Sequence, residues 1–190
     1  YPEQLSHLSC CKSPQQMGGA LLKTYWADKM GYDPKDVFVV SIMPCTAKKF
    51  EVGRDDMSAA GDGIPDVDVA LTTRELARMI SRAGLKFTAL PDEDFDPAFG
   101  VDTGAAVIFG ATGGVMEAAL RTANDVLTGK DNKAVDFTEV RGMEGVKEAS
   151  YDIAGMTIKV AVASGAKNAK AVMDKIKNGE ADWTFVEIMG

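Results

Sequence analysis

Apolar positions along the chain alternate between short β-branched runs and stretches with helical spacing. Over residues 15–30 they recur every three or four positions, which predicts a helix with Met17, Ala20, Leu21, Tyr25 and Met30 on its buried side. Gly31 and Pro34 stop it. Residues 37–42, Val-Phe-Val-Val-Ser-Ile, form a continuous apolar run between turn residues and predict a strand buried on both faces, as in a parallel sheet. Residues 53–65 are rich in Gly, Asp and Ala and predict a loop, and residues 67–71 predict the next strand. Thr72-Thr73-Arg74-Glu75 has the form of a capping box, opening a helix over residues 75–83.

In the second half, residues 105–109 predict a strand that turns through Gly110-Ala111-Thr112-Gly113-Gly114 into a helix. Met116, Ala119, Leu120, Ala123 and Leu127 share one face of that helix. Residues 137–140 predict a strand, residues 151–153 and 157–162 a hairpin about Gly155, residues 166–177 a helix and residues 184–188 a last strand. Strand–helix alternation of this kind predicts an α/β fold of mostly parallel sheets flanked by helices. With no internal repeat or low-complexity segment, residues 1–190 read as a single domain.

Charge narrows the partners. The formal net charge of -7 argues against nucleic acid, whose binding rests on Lys and Arg neutralising phosphates, and against an anionic membrane surface. No apolar run is long enough for a transmembrane helix, so no membrane insertion is expected. The acidic stretch 91–97 predicts a solvated surface loop. Three cysteines, Cys10, Cys11 and Cys45, do not make a disulfide framework in a chain this long, and a reducing, cytoplasmic compartment is expected, with the periplasm as the other choice. The single histidine, His7, is assigned no role.

The segment Met43-Pro44-Cys45-Thr46-Ala47-Lys48-Lys49-Phe50-Glu51 concentrates chemistry. A buried strand would deliver Cys45 at its carboxyl end, where open α/β sheets bind ligands. A helical turn after Cys45 would bring Lys48 or Lys49 back toward the sulfur, and a nearby cation favours the thiolate. Glu51 could pair with a lysine or relay a proton. Spacing alone favours a core cysteine beside surface lysines, and one cysteine cannot complete an iron–sulfur site, which normally takes four ligands. Residues 107–114 also imitate the glycine-rich start of a dinucleotide-binding unit, but bulky Met116 occupies the third glycine position and no acidic residue clearly ends a following strand.

Three segments in order carry a resemblance to a known family: Lys12-Ser13-Pro14-Gln15-Gln16-Met17, the Met-Pro-Cys-x-x-Lys-x-x-Glu pattern of residues 43–51, and Phe109-Gly110-Ala111-Thr112-Gly113-Gly114-Val115-Met116-Glu117-Ala118-Ala119-Leu120-Arg121. Thr72-Thr73-Arg74-Glu75-Leu76 and Val140-Arg141-Gly142 agree with it. Across essentially all 190 residues the chain resembles the catalytic domain of the [FeFe]-hydrogenase (iron-only hydrogenase) large subunit. The resemblance implies reversible hydrogen oxidation and proton reduction. The implied cofactor is the H-cluster, a [4Fe-4S] cubane joined through a cysteine sulfur to a diiron subcluster with CO, cyanide and dithiolate ligands.

By resemblance, Cys45 is a metal ligand of the cubane. Lys48, Ser9 and Glu51 belong to the catalytic set, Lys48 facing a cyanide and Ser9 on a proton path. Met43, Pro44, Gln15, Phe109 and Ser13 are cofactor-binding, and the amides at the start of the helix after Gly113 face an anionic cofactor. The implied partners are a ferredoxin or cytochrome-type electron carrier, accessory iron–sulfur domains or a small subunit, and maturation proteins.

The family's Thr-Ser-Cys-Cys-Pro-x-Trp motif would precede residue 12, and its Met-Ala-Cys-x-x-Gly-Cys motif would follow Met189. Neither lies within the 190 residues. Cys10-Cys11 is out of register with the first motif and is expected to be packing or semi-exposed. The expectation is therefore a partial H-cluster domain, truncated on both sides and inactive alone. The second reading is a hydrogenase-like iron–sulfur assembly protein without hydrogen activation, a class that lacks the Thr-Gly-Gly-Val-Met-Glu segment present at residues 112–117.

Overall fold

The computed structural model describes residues 1–100, 104–130, 138–139 and 144–189. The chain divides into two compact units, Ser9–Gly100 and a second made of Tyr1–Leu8 with Val101–Gly190. The sequence predicts one domain; each unit is described by itself.

In Ser9–Gly100, helix α1 (Pro14–Leu21) runs through a wider turn, Leu22–Trp26, into α2 (Ala27–Met30). Pro14 suits a first helical turn, where its missing N–H is no loss. Gly31, at φ 74°, ends the run in the left-handed conformation favoured at helix C-termini. Strand β1 (Val40–Met43) leads through Pro44-Cys45-Thr46 to α3 (Ala47–Glu51), and β2 (Val69–Thr72) pairs parallel with β1, Ser41 opposite Ala70. Thr72 and Glu75 form the reciprocal cap predicted for α4 (Thr73–Arg82). Residues 91–97 are exposed, as expected.

Two packing expectations fail in this unit. The helix exposes Met17, Leu21, Tyr25 and Met30, and withdraws Gln15, Gln16, Gly19, Lys23 and Ala27. The cause is polar. Lys23 Nζ pairs with Asp68 at 2.7 Å, Lys12 pairs with the fully buried Asp66, and Gln15 is drawn into a cluster described below. Gly19 permits the approach, since a Cβ there would lie 2.3 Å from the Asp66 carbonyl oxygen. The first strand also starts later than predicted and buries one face only. Ser41 and Ala70 are covered, while Val40, Ile42 and Val69 remain substantially exposed.

The second unit is built on apolar burial. Strands β4 (Val146–Ile153) and β5 (Met156–Ser164) form a hairpin, longer than predicted, whose turn residues Ala154 and Gly155 both have positive φ, the geometry that matches the strands' twist. β3 (Thr138–Glu139) adds to β4, and β6 (Phe185–Met189) pairs parallel with β5, giving the mixed order β3-β4-β5-β6. Residues 137 and 140 of the strand expected at 137–140 lie outside those described. Helix α6 (Gly114–Thr128) sets Met116 and Leu120 against Ala149, Tyr151, Ile153, Val160 and Val162. Helix α7 (Ala166–Lys177) packs Val172 and Ile176 with Val146, Ala163 and Val186. Alternation along β5 thus feeds two layers, and Val160–Ala163 are essentially sealed from solvent.

Here too two details change. Residues 105–109 are not a strand: Ala105–Ile108 form a short helix, α5, as a four-residue apolar run with two alanines can do. On α6 the buried set is Gly114, Met116, Ala118, Leu120 and Asn124, with Ala119, Ala123 and Leu127 outside. The Asn124 amide turns inward because it donates to the Lys130 carbonyl beyond the helix end at 3.0 Å. The α/β class holds, with one parallel pair of strands and one mixed sheet.

Candidate functional site

Cys45 sits one residue past Pro44 at the carboxyl end of β1, and both are exposed; Met43 is half-buried. The helical turn anticipated after the sulfur is α3. It places Lys48 and Glu51 three residues apart on one face, their Nζ and Oε2 3.0 Å apart.

Around that pair the first two motifs meet. Glu51 Oε2 also accepts from the Ser13 hydroxyl at 2.8 Å and from Gln15 Nε2 at 2.8 Å. Gln15 Nε2 lies 3.3 Å from the Lys48 carbonyl as a second acceptor, and its Oε1 accepts from Ser41 Oγ at 2.6 Å. Five side chains from the start of α1, from β1 and from α3 therefore form one hydrogen-bonded cluster beside the cysteine-bearing strand end. Burial would push the Glu51 carboxyl up, but the hydrogen bonds from Lys48, Ser13 and Gln15 outweigh it and hold it below the usual glutamate value. Glu51 is an anion at neutral pH, and it fixes the Lys48 ammonium in place.

The other predicted residues fall outside this cluster. Ser9 is exposed, and its Oγ accepts the Cys11 backbone N–H at 3.1 Å. Cys10 and Cys11 are exposed free thiols. Lys49 is half in solvent and pairs with Glu75 at 2.8 Å; that hydrogen bond, with the one from the Thr72 backbone, lowers the Glu75 carboxyl to about 2. Phe109 belongs to the second unit, half-buried after α5. Arg141 and its neighbours lie outside the described residues.

Two contributors were missed. Ser41 was hidden in an apolar run; its one signal was being the lone hydroxyl there. Glu187 stands in β6 as the lone acid among Phe185, Val186, Ile188 and Met189. Its carboxylate takes the Gly113 and Met116 backbone N–H groups at 3.0 and 2.8 Å. Those two amides of the α6 start, expected to face an anionic cofactor, are therefore already occupied by a protein carboxylate.

The donor set answers the question of a metal cluster. A cubane held by thiolates takes four sulfurs, and the chain has three cysteines. Among the described residues no three His, Cys, Asp or Glu side chains converge as a metal site. The residues present fit one corner of such a cluster, a sulfur at a strand end with an ammonium nearby, and not a whole one.

The α/β fold thus carries Cys45 at a strand end and an ordered Lys48–Glu51 pair on the turn that follows. The model of the iron only hydrogenase large subunit, C-terminal domain, matches residues 1–190, and the chain belongs to that family. It is 53% identical over 189 residues to the periplasmic [Fe] hydrogenase large subunit of Nitratidesulfovibrio vulgaris, covering all of this chain and 44% of that protein. A solved structure of a variant of [FeFe]-hydrogenase HydA1 from Chlamydomonas reinhardtii superposes with a TM-score of 0.83 at 39% identity, over all of this chain and 54% of that one. Cytosolic iron-sulfur assembly component 3 of Pongo abelii is more distant, 30% identical over 97% of the chain and 40% of its own length. The chain thus spans about half or less of the proteins it matches.

Proposed function

We propose that this chain is the central part of an iron-only hydrogenase catalytic domain, which in a longer parent protein interconverts protons, electrons and hydrogen at an H-cluster. The observation that carries the reading is the joining of Ser13, Gln15, Lys48 and Glu51 into one cluster beside Cys45, within a chain 53% identical to a hydrogenase large subunit. When bound, the cofactor supplies the redox and hydrogen chemistry. Cys45 contributes one thiolate to its cubane, and cysteines beyond these 190 residues contribute the rest.

The chain's own residues prepare the surroundings. Glu51 holds Lys48 in orientation, so that the ammonium can meet an anionic ligand of the diiron unit. Gln15 and Ser13 hold Glu51, Met43 and Pro44 supply an apolar wall, and the resemblance alone assigns Phe109 to the same cofactor. Ser9, exposed, is suited to the entrance of a proton path. A ferredoxin or cytochrome-type carrier delivers electrons, and maturation proteins install the diiron unit. The cysteine count suits the cytoplasm, although the Nitratidesulfovibrio vulgaris relative is named as periplasmic. Fractionation of source cells decides between the two compartments.

The test is to mature the full-length protein and assay hydrogen evolution with a reduced carrier. Turnover in the parent and none in the reconstituted 190-residue chain is expected. A parent that takes up an iron–sulfur cluster yet never evolves or consumes hydrogen would favour the assembly-protein reading instead. Lys48→Asn in the parent should weaken or shift the infrared CO and cyanide bands, and unchanged bands would remove Lys48 from the cofactor shell.

A further inference from the structure

The start of α6 cannot cap itself. Gly113, the residue before it, has φ 91° and carries no side chain. A Cβ on Gly114, the first residue of the helix, would lie 1.7 Å from the Ile108 carbonyl oxygen, so the turn packs too closely for any side chain there. The orphan amides of a helix start still need acceptors. They are met from β6, more than seventy positions away in sequence: Glu187 Oε1 takes Gly113 N–H at 3.0 Å and Oε2 takes Met116 N–H at 2.8 Å. Both oxygens of one half-buried carboxylate are used, each in a charge-assisted bond at the positive end of a 15-residue helix. Thr112 Oγ1 reaches Met189 Sδ at 3.7 Å, a weaker second tie between the same two segments.

We propose that Glu187 is a positioning residue that clamps the end of β6 to the Thr112–Gly114 turn, and so sets where the chain leaves Met189 relative to Phe109. The inference rests on the function proposed above, in which Phe109 and the segment beyond Met189 serve the same cofactor. Both acceptors come from a single side chain whose strand is itself held in register with β5 from Phe185 to Met189. Glutamine is therefore a poor substitute, because its amide offers one acceptor and turns a second N–H against a backbone N–H. Aspartate keeps both acceptors on a shorter arm.

The experiment uses the full-length holoprotein with Glu187→Gln and Glu187→Asp. Hydrogen exchange across residues 110–118 and the paramagnetic resonance spectrum of the reduced cubane are both read. The glutamine variant should exchange the Gly113 and Met116 amides about tenfold faster, the worth of roughly one lost charged hydrogen bond. Its cubane spectrum should change, and aspartate should recover both in part. Unchanged exchange would overturn the clamp. Faster exchange with an unaltered cubane spectrum would reduce Glu187 to a helix cap and overturn the positioning role. A wild-type parent without any cubane would instead defeat the functional reading, and the positioning role with it, while the exchange data would still report on the clamp.

Discussion

In Ser9–Gly100 the large side chains most deeply withdrawn from water are Gln16, Lys23, Val67 and Asp66, of which Lys23 and Asp66 are ion-paired; in Val101–Gly190 they are Met116, Val146, Val160, Val162 and Val172. One unit is organised by directional polar contacts, the other by apolar area. The difference has a physical consequence. Apolar burial is tolerant, because any side chain of suitable size contributes, whereas a buried charge is costly unless its specific partner is present. A segment that must hold a lysine and a carboxylate in fixed relation is better served by the second kind of interior. The Lys48–Glu51–Gln15–Ser13–Ser41 cluster is continuous with that style of packing.

The contrast can be broken most forcefully at Asp66, which is fully buried, pairs with Lys12 and accepts the Ala59 backbone N–H at 2.7 Å. Asp66→Ala should cost about 3–5 kcal/mol in chemical denaturation, since it strands a cation and an amide donor. Loss below about 1 kcal/mol would mean that this interior is not polar in its energetics. Next comes Leu120→Ala on the apolar side, expected to cost roughly 2–4 kcal/mol through lost transfer energy and the cavity left behind. Ser41→Ala should cost about 1–3 kcal/mol, because Gln15 Oε1 is left buried without its donor.

Acid sharpens the comparison further. Glu51 titrates below the usual glutamate value in the folded chain. Its contribution is thus present in full above the ordinary glutamate pKa and is lost as pH falls through the lowered one. Glu51→Gln should be less stable than the parent sequence at neutral pH and should flatten the acid limb of a stability–pH curve. An unchanged limb would contradict the cluster. The smallest effect is expected at Lys49→Ala, where both partners are half in solvent. Glu75 should titrate above about 2, read by NMR, with little change in thermal midpoint, because exposed pairs are well screened.

How much of this was legible in the sequence follows the same division. Where apolar periodicity drives burial, the pattern located most elements: the helix over residues 166–177 was predicted to the residue and the hairpin about Gly155 was found, although Ala119, Ala123 and Leu127 of α6 face outward and residues 105–108 form a helix. On the helix beginning at Pro14 the pattern pointed to the wrong face. Lys23 finds its partner at Asp68, and Lys12 at Asp66, pairings that spacing along one helix cannot reveal. The motif residues Ser13, Gln15, Lys48 and Glu51 were identified by resemblance, yet their hydrogen bonds to one another were not. Ser41 and Glu187 were read as ordinary strand positions, because a single polar residue in an apolar strand looks the same whether it faces solvent or closes a network.

In the proposed function Cys45 is a cluster ligand and the polar cluster beside it is the ligand's setting. The most direct measurement is iron content together with the cubane resonance signal of the matured full-length protein carrying Cys45→Ser, compared with the parent sequence. Loss of most of the [4Fe-4S] iron and signal is expected, with the fold retained by circular dichroism. A full complement of cubane iron with an unchanged spectrum would contradict it.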